Sequence, residues 1–382
     1  MKILIAPDKF KGVSTAQEVS EIIRNQIQKH LPEAQIRLCP VADGGEGTLT
    51  SIIYLLKGKT ISTTVNDPLM RPKQAQYGIA QLPEKETGII EMAQSSGLFR
   101  LTKEERNPLE TTSYGAGELV SEAVKKHGIR HLRISLGGSA TIDGGIGFLQ
   151  ALGAGFKSKS TLPPRGLSGK HLSLIQSIDL EPVRLLLKGI DIVGLVDVQV
   201  PVLGDHGAAR FFGPQKGASP EMVDELERGL GSFEAVLSKE CGKLLKNERG
   251  SGAAGGMGMA LLALDAKLES GFDFVAQTLK LEEQMKGCDL VITGEGLMDN
   301  SSREGKAPVA VALMAKKMGI PCIAIVGAAE KNLSWTKDVG LSQVYALFET
   351  PIIGDEPRKL EVPSRFADIL SAIFAKKPAV KS

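Results

Sequence analysis

Apolar residues fall along this chain in two rhythms. Short, nearly continuous runs at Lys2–Ala6, Ile36–Val41, Leu290–Ile292, Cys322–Val326 and Val344–Phe348 read as strands covered on both faces, the mark of a parallel sheet. Between them apolar positions recur at helical spacing. Ala16, Val19, Ile22, Ile23 and Ile27 give one buried stripe, and Pro32 closes it. Ser14 or Thr15 opens that helix, with Gln17 or Glu18 placed to complete a capping box. Ala307–Lys316 and a segment near Phe366–Phe374 predict further helices.

The N-terminal segment supplies two strand–helix units and the C-terminal segment three. Together they predict one five-stranded, doubly wound sheet of flavodoxin-like size. From Ile61 to Lys286 the rhythm changes to glycine-rich loops, isolated strands and longer helices. The expected architecture is therefore α/β with two domains: residues 1–60 with 287–382 form a discontinuous flavodoxin-like domain, and 61–286 an inserted α/β domain. A length of 382 residues suits two cores.

Three predicted strands end in acid and lysine beside glycine. Asp8, Lys9 and Lys11 follow the first, and Asp43 the second. After Leu290–Ile292, Gly294 and Gly296 turn the chain and aim Glu295 and Asp299, while Lys306 stands at the mouth of the next helix. Ligands of such sheets bind beyond the carboxyl ends of the strands, so a cleft between the domains is the expected site.

The predicted insertion carries further candidates. Leu136–Gly145, LGGSATIDGG, follows a predicted strand at Leu132–Leu136 and exposes backbone N–H groups suited to a triphosphate or to a packing turn. It matches neither the Walker loop nor the dinucleotide fingerprint, which also argues against a nicotinamide oxidoreductase. Gly250–Gly258 reads as a nucleotide loop or a helix-packing seam. The hydroxyls of Asn107–Gly115 read as helix caps or anion ligands. Arg71 is a candidate clamp for a carboxylate or a surface arginine, and Lys216 a contact for phosphate or for water. His127 and His131 stand four apart, but Gly128 ends the helix between them, which argues against a metal pair. Asp197 interrupts the apolar run Val193–Val202 and must be paired, metal-bound or at a strand end.

Composition narrows the function. The 46 basic and 44 acidic residues leave a net charge of +2, so no field of one sign recruits nucleic acid or membrane, and aromatic content of 4% disfavours base stacking. Cys39, Cys241, Cys288 and Cys322 lie far apart and predict reduced thiols. No apolar run has the length of a signal core or a membrane span, which places the protein in the cytoplasm, and Lys376–Ser382 reads as a solvated tail.

Taken in order, APDKFKG (6–12), VADGGEGT (41–48), NDPLMR (66–71), EMAQSSGL (91–98), RNPLETTSYGAGEL (106–119), GGSATIDGG (137–145), FGPQKGA (212–218), GAAGGMG (252–258) and DLVITGEG (289–296) resemble the bacterial-type glycerate kinase family over nearly the whole chain. The resemblance implies a kinase that uses ATP and Mg²⁺ to phosphorylate D-glycerate, mildly favouring the 2-hydroxyl. It has a small hydroxy-acid substrate, no nucleic-acid or membrane partner, and room for a homo-oligomer. On that resemblance Gly137, Gly138, Ser139, Asp143 and Gly145 serve the nucleotide, with Lys216 or Lys306 as neutralising cation. Asp8, Lys9, Lys11 and Arg71 serve the substrate, and Asp43, Asp197, Glu295 and Asp299 the chemistry, with Asp43 and Asp197 as metal anchors. The chain departs from the family at Ile142 and Val200, where asparagine is usual, at Leu297, where arginine is usual, and at Ser301, near a usual glutamine. Each of the first three exchanges loses a hydrogen-bonding side chain. A paralogue that binds ligand with altered substrate or lost turnover is the alternative reading.

Overall fold

The computed structural model describes residues 1–83, 85–351 and 356–374; the predicted tail at Lys376–Ser382 lies outside them. Through the first unit the chain runs β1 (Lys2–Ile5), α1 (Ala16–His30), β2 (Gln35–Leu38) and α2 (Thr48–Leu56). It continues through β3 (Lys59–Asn66), β4 (Pro72–Leu82), β5 (Lys85–Glu91), α3 (Tyr114–His127), β6 (His131–Ser135), α4 (Ile146–Ala151), β7 (Asp191–Val196), α5 (Pro220–Cys241), α6 (Ala253–Ala263) and β8 (Lys267–Ser270). It ends with β9 (Leu290–Thr293), α7 (Ala307–Lys317), β10 (Cys322–Val326), β11 (Leu341–Ala346) and α8 (Glu356–Phe374). Shorter elements lie between.

One compact unit comprises Met1–Asp43, Thr50–Leu55 and Phe272–Ser382. Its five strands are all parallel, in the order β11-β10-β9-β1-β2. Counted within the unit this is 2-1-3-4-5, the flavodoxin-like winding. Ile3, Ile5, Ile292 and Ile325 face Val19, Ile23 and Ile27 of α1 and Phe366 of α8 in one buried core. The first helix starts where a capping box is complete: Thr15 Oγ1 accepts the Glu18 N–H, and Glu18 accepts the Thr15 N–H. Two strands are displaced from expectation. β2 spans Gln35–Leu38, although the Cys39 and Val41 N–H groups still reach Ile5 O and Pro7 O on either side of Pro40, and β11 spans Leu341–Ala346 through its register with Cys322–Val326.

The other unit comprises Gly44–Leu49 and Leu56–Gly271. Its strands are not isolated: they form one six-stranded mixed sheet, β8-β7-β6-β5-β4-β3. The antiparallel meander β3-β4-β5 precedes parallel β5, β6, β7 and β8. The chain enters this unit at Leu56 and leaves at Gly271, whereas the sequence suggested 61 and 286. β3 begins at Lys59 and pairs at once with β4, and the segment from Phe272 onward groups with the five-stranded unit. The core collects Ile134, Ile142, Ile146, Phe148, Leu230 and Phe233. Among the described residues no helix is long and apolar enough to cross a membrane.

Candidate active site

In the five-stranded unit the acids stand where the strands end. Backbone pairing continues past β1, with Ala6 N–H on Ile292 O and Asp8 N–H on Gly294 O, both at 2.8 Å, so Asp8 and Glu295 are carried on adjoining loops. Glu295 is 6% exposed, and among the described residues its Oε1 is buried with no hydrogen-bond partner. Lys306 Nζ lies 3.7 Å from its Oε2. Burial pushes the Glu295 carboxyl up to about 7, with Asp8 and Asp299 adding to the rise and Lys306 opposing it. Burial also pushes Asp8 up to about 7; Lys9 opposes and Asp43 adds. Lys9 Nζ lies 3.7 Å from Asp8 Oδ1, while Lys11 is exposed.

Asp299 has a different environment. It caps the short turn Asn300–Glu304, accepting from the Ser302 N–H at 3.2 Å and Ser301 Oγ at 2.5 Å. Burial raises its pKa, but these bonds and Lys306 at 3.5 Å outweigh burial and hold it below the usual range. Lys306 is therefore shared between Glu295 and Asp299 at the start of α7.

The six-stranded unit builds its site from a loop. After β6 the chain turns through Gly137–Gly145 into α4, and Asp143 is buried at its centre. Asp143 accepts from the Ser113 N–H at 2.8 Å, Ser113 Oγ at 2.7 Å, the Gly145 N–H at 3.1 Å and the Gly147 N–H at 3.4 Å. Burial raises its pKa, and those donors oppose the rise. Its lone pairs are thus spent on the loop itself. Of the hydroxyls expected to cap α3, Ser113 makes no side-chain cap and Thr111 Oγ1 donates to Ala140 O, while Thr112 Oγ1 donates to Leu167 O and accepts the N–H of Tyr114, the first residue of the helix, at 3.2 Å.

Gly144 and Gly145 donate to Gly255 O and Asp143, so those N–H groups are taken. Among the described residues the N–H groups of Gly137 and Gly138 meet no protein acceptor, and Gly138 is exposed. Lys216 lies behind the loop, 3% exposed, donating from Nζ to Ser139 Oγ at 2.9 Å and Thr141 O at 2.8 Å. Burial pushes its pKa down to about 7, with Asp143 opposing. The second glycine run is the packing seam: a Cβ on Gly255 would sit 2.0 Å from Thr141 O.

The remaining candidates lie outside these clusters except Asp43, which is close enough to Asp8 to raise its carboxyl. Arg71 is forked across Asp67, at 2.6 Å, and Glu105, at 2.5 Å. The run expected at Val193–Val202 stops at Val196, and Asp197 is exposed just past the end of β7. Asp43 is half-buried. His127 packs edge-on to Tyr77, and His131 lies 3.5 Å from Asp191. Ile142 is fully buried in the core, so the apolar exchange there falls on packing. Leu297 pairs with Ala328, and Val200 offers its carbonyl to the Gly252 N–H.

Sequence reasoning assigned no role to Glu91, and read Ser113 as a helix cap or anion ligand rather than as a partner of Asp143. Glu91 is 1% exposed at the end of β5, and its Oε2 accepts from the Gly47 N–H at 3.1 Å and the Leu49 N–H at 3.2 Å. The signal was present: Gly88-Ile89-Ile90-Glu91 is another apolar strand ending in an acid.

Comparison with known proteins gives a consistent picture. The model of the Glycerate kinase family matches residues 3–359. The chain is 41% identical to "Glycerate 2-kinase" of Escherichia coli (strain K12) over 348 residues, covering 91% of this chain and 90% of the relative. It is also 41% identical to "Glycerate kinase" of Haemophilus influenzae, covering 91% of each. The crystal structure of a protein provisionally named glycerate kinase 2, from Salmonella typhimurium LT2, superposes with a TM-score of 0.83 at 35% identity, covering 98% of this chain and 97% of that one.

Proposed function

The chain belongs to the glycerate kinase family, and from that membership we infer an ATP-dependent kinase that phosphorylates a hydroxyl of D-glycerate. The 2-hydroxyl is the proposed acceptor, supported by the relative named for that position. Phosphoryl transfer asks a protein for positioning and charge neutralisation more than for covalent chemistry. The N–H groups of half-buried Gly137 and exposed Gly138, which meet no protein acceptor among the described residues, suit phosphate oxygens, and Ser139 with Lys216 behind it supplies a hydroxyl and a positive charge.

The observation that carries the chemical assignment is Glu295. A buried carboxylate with an unpartnered oxygen and a pKa near 7 is suited to take the proton that leaves the acceptor hydroxyl. Among the described residues no three His, Cys, Asp or Glu side chains gather as a metal cage. Mg²⁺ does not require one, since it is commonly held by one or two carboxylates together with substrate phosphates and water. When bound it neutralises charge on the transferring phosphoryl group. Asp43 and Asp197 are retained as proposed anchors or base, and Asp8 as a proposed substrate contact. Lys9 and Lys11 are proposed for the substrate carboxylate. Arg71 joins them only by releasing Asp67 or Glu105.

Purified protein should form ADP from ATP only when glycerate and Mg²⁺ are both present. Phosphorus NMR of the product should show the 2-phosphate. Equal ADP release without glycerate would refute the assignment.

A further inference from the structure

Gly44–Leu49 and Gly137–Ser139 are two glycine-bearing turns of the six-stranded unit, and they touch. A Cβ on Gly137 would sit 2.5 Å from Gly45 Cα, so the two backbones are in direct contact there. A Cβ on Gly138 would lie 3.7 Å from the Cβ of Glu46, and Ser135 Oγ donates weakly to Gly45 O at 3.4 Å. What holds the first turn in place is Glu91. This residue ends β5 opposite Ser135 of β6, so the strand that carries it neighbours the strand that launches the glycine loop.

The chemistry of the clamp is that of a helix cap supplied from elsewhere in the chain. The first turn of α2 contains no acidic residue, so its N–H groups lack a local carboxylate. Glu91 Oε2 accepts the Leu49 N–H of that first turn and the Gly47 N–H just before it, across more than forty positions of sequence. A single buried oxygen bonded to two backbone donors fixes the turn more tightly than either bond alone.

We propose that Glu91 is a positioning residue for the nucleotide-binding loop: its carboxylate clamps the Gly44–Leu49 turn against Gly137 and Gly138, and so holds their N–H groups where phosphate oxygens bind. The proposal rests on the kinase reading for its catalytic consequence, though not for the clamp. Its prediction is specific to geometry. Glutamine keeps an oxygen that accepts both N–H groups, whereas alanine keeps none.

The test compares Glu91→Gln and Glu91→Ala in the full chain, with steady-state kinetics and amide hydrogen exchange on the same preparations. Alanine should speed exchange at 44–49 and 137–139 and lower kcat/KM for ATP by ~10–100-fold, the scale of a small misplacement of binding groups. Glutamine should restore both, with kcat/KM within about threefold of wild type. Unchanged exchange in the alanine variant would overturn the clamp. Glutamine kinetics as poor as alanine, with wild-type exchange, would overturn it in favour of a charge acting on the ligand. Should alanine fail to fold, Glu91→Asp, whose shorter arm draws the oxygen back, should accelerate exchange at the same amides, and wild-type exchange there would overturn the proposal. A wild-type protein without kinase turnover defeats the kinase reading while the exchange comparison still decides the clamp.

Discussion

Glu295 and Asp143 are both buried carboxylates on loops that follow parallel strands, and they are satisfied to opposite degrees. Asp143 accepts four donors from its own loop and from Ser113, and behind that loop Lys216 finds two acceptors. Glu295 keeps one oxygen without a partner, and beside it Asp8 is raised by burial and by neighbouring acid. Asp143 has spent its acceptor capacity on holding a shape. Glu295 has left part of its own unspent, at a cost in stability. Framework and reagent are distinguishable on this criterion even though both are Asp or Glu in glycine-rich turns.

The largest effect that would break this contrast is at Asp143. Asp143→Ala removes four acceptor bonds and the negative charge that favours Lys216 behind the loop, so it should cost at least ~3 kcal/mol in denaturant unfolding. A variant of wild-type stability would show that Asp143 is not framework.

The pH dependence of stability without ligand should separate the two regions by sign. Glu295 and Asp8 have folded pKa values near 7, above the unfolded ones. Their burial therefore favours the folded state at low pH, and that contribution is lost as pH rises through 7. Lys216 has a folded pKa near 7, below its unfolded value of 10.5, so its contribution is present at high pH and is lost as pH falls from 10.5 to 7. Comparing melting curves of wild type, Glu295→Gln and Lys216→Met isolates each window: the first variant should flatten the response below pH 7, the second the response above it. Identical pH profiles in all three would contradict both assignments.

Lys216→Met should raise the KM for ATP by ~10-fold, about 1.4 kcal/mol, without lowering Tm near neutral pH, because an apolar chain replaces a desolvated cation. Loss of stability with unchanged KM would move Lys216 into the framework. Of similar size, Ser113→Ala removes the hydroxyl that donates to Asp143 and accepts the Phe148 N–H while keeping the backbone bond to Asp143, and should cost about 1.5–2 kcal/mol in unfolding free energy with KM for glycerate unaltered. A raised glycerate KM would instead place Ser113 at the substrate.

How much of this was legible in sequence follows the range of the interactions concerned. The 2-1-3-4-5 sheet was readable because each strand is a local apolar run and parallel winding leaves few alternatives. That Asp8, Asp43 and Glu295 stand just past strand ends was readable because each follows a local apolar run. The meander β3-β4-β5 was not, since Val65 and Tyr77 alternate with polar neighbours and only pairing in space makes them one sheet. Ser113 before α3 looks the same in sequence whether it caps its own helix or bonds Asp143, and only the fold decides. Glu91 is legible as an acid that ends an apolar strand, but its partners are not, because Gly47 and Leu49 come from a distant segment.

The most direct measurement is kcat and Tm on one preparation of Glu295→Gln at pH 8, where the wild-type carboxyl is ionised. The account predicts a fall in kcat of at least ~10²-fold, the scale of a positioned base, together with a Tm equal to or above wild type because a desolvated charge has been removed. A normal kcat, or a Tm that drops in step with activity, would contradict the assignment of Glu295 as the reactive group and return it to the framework.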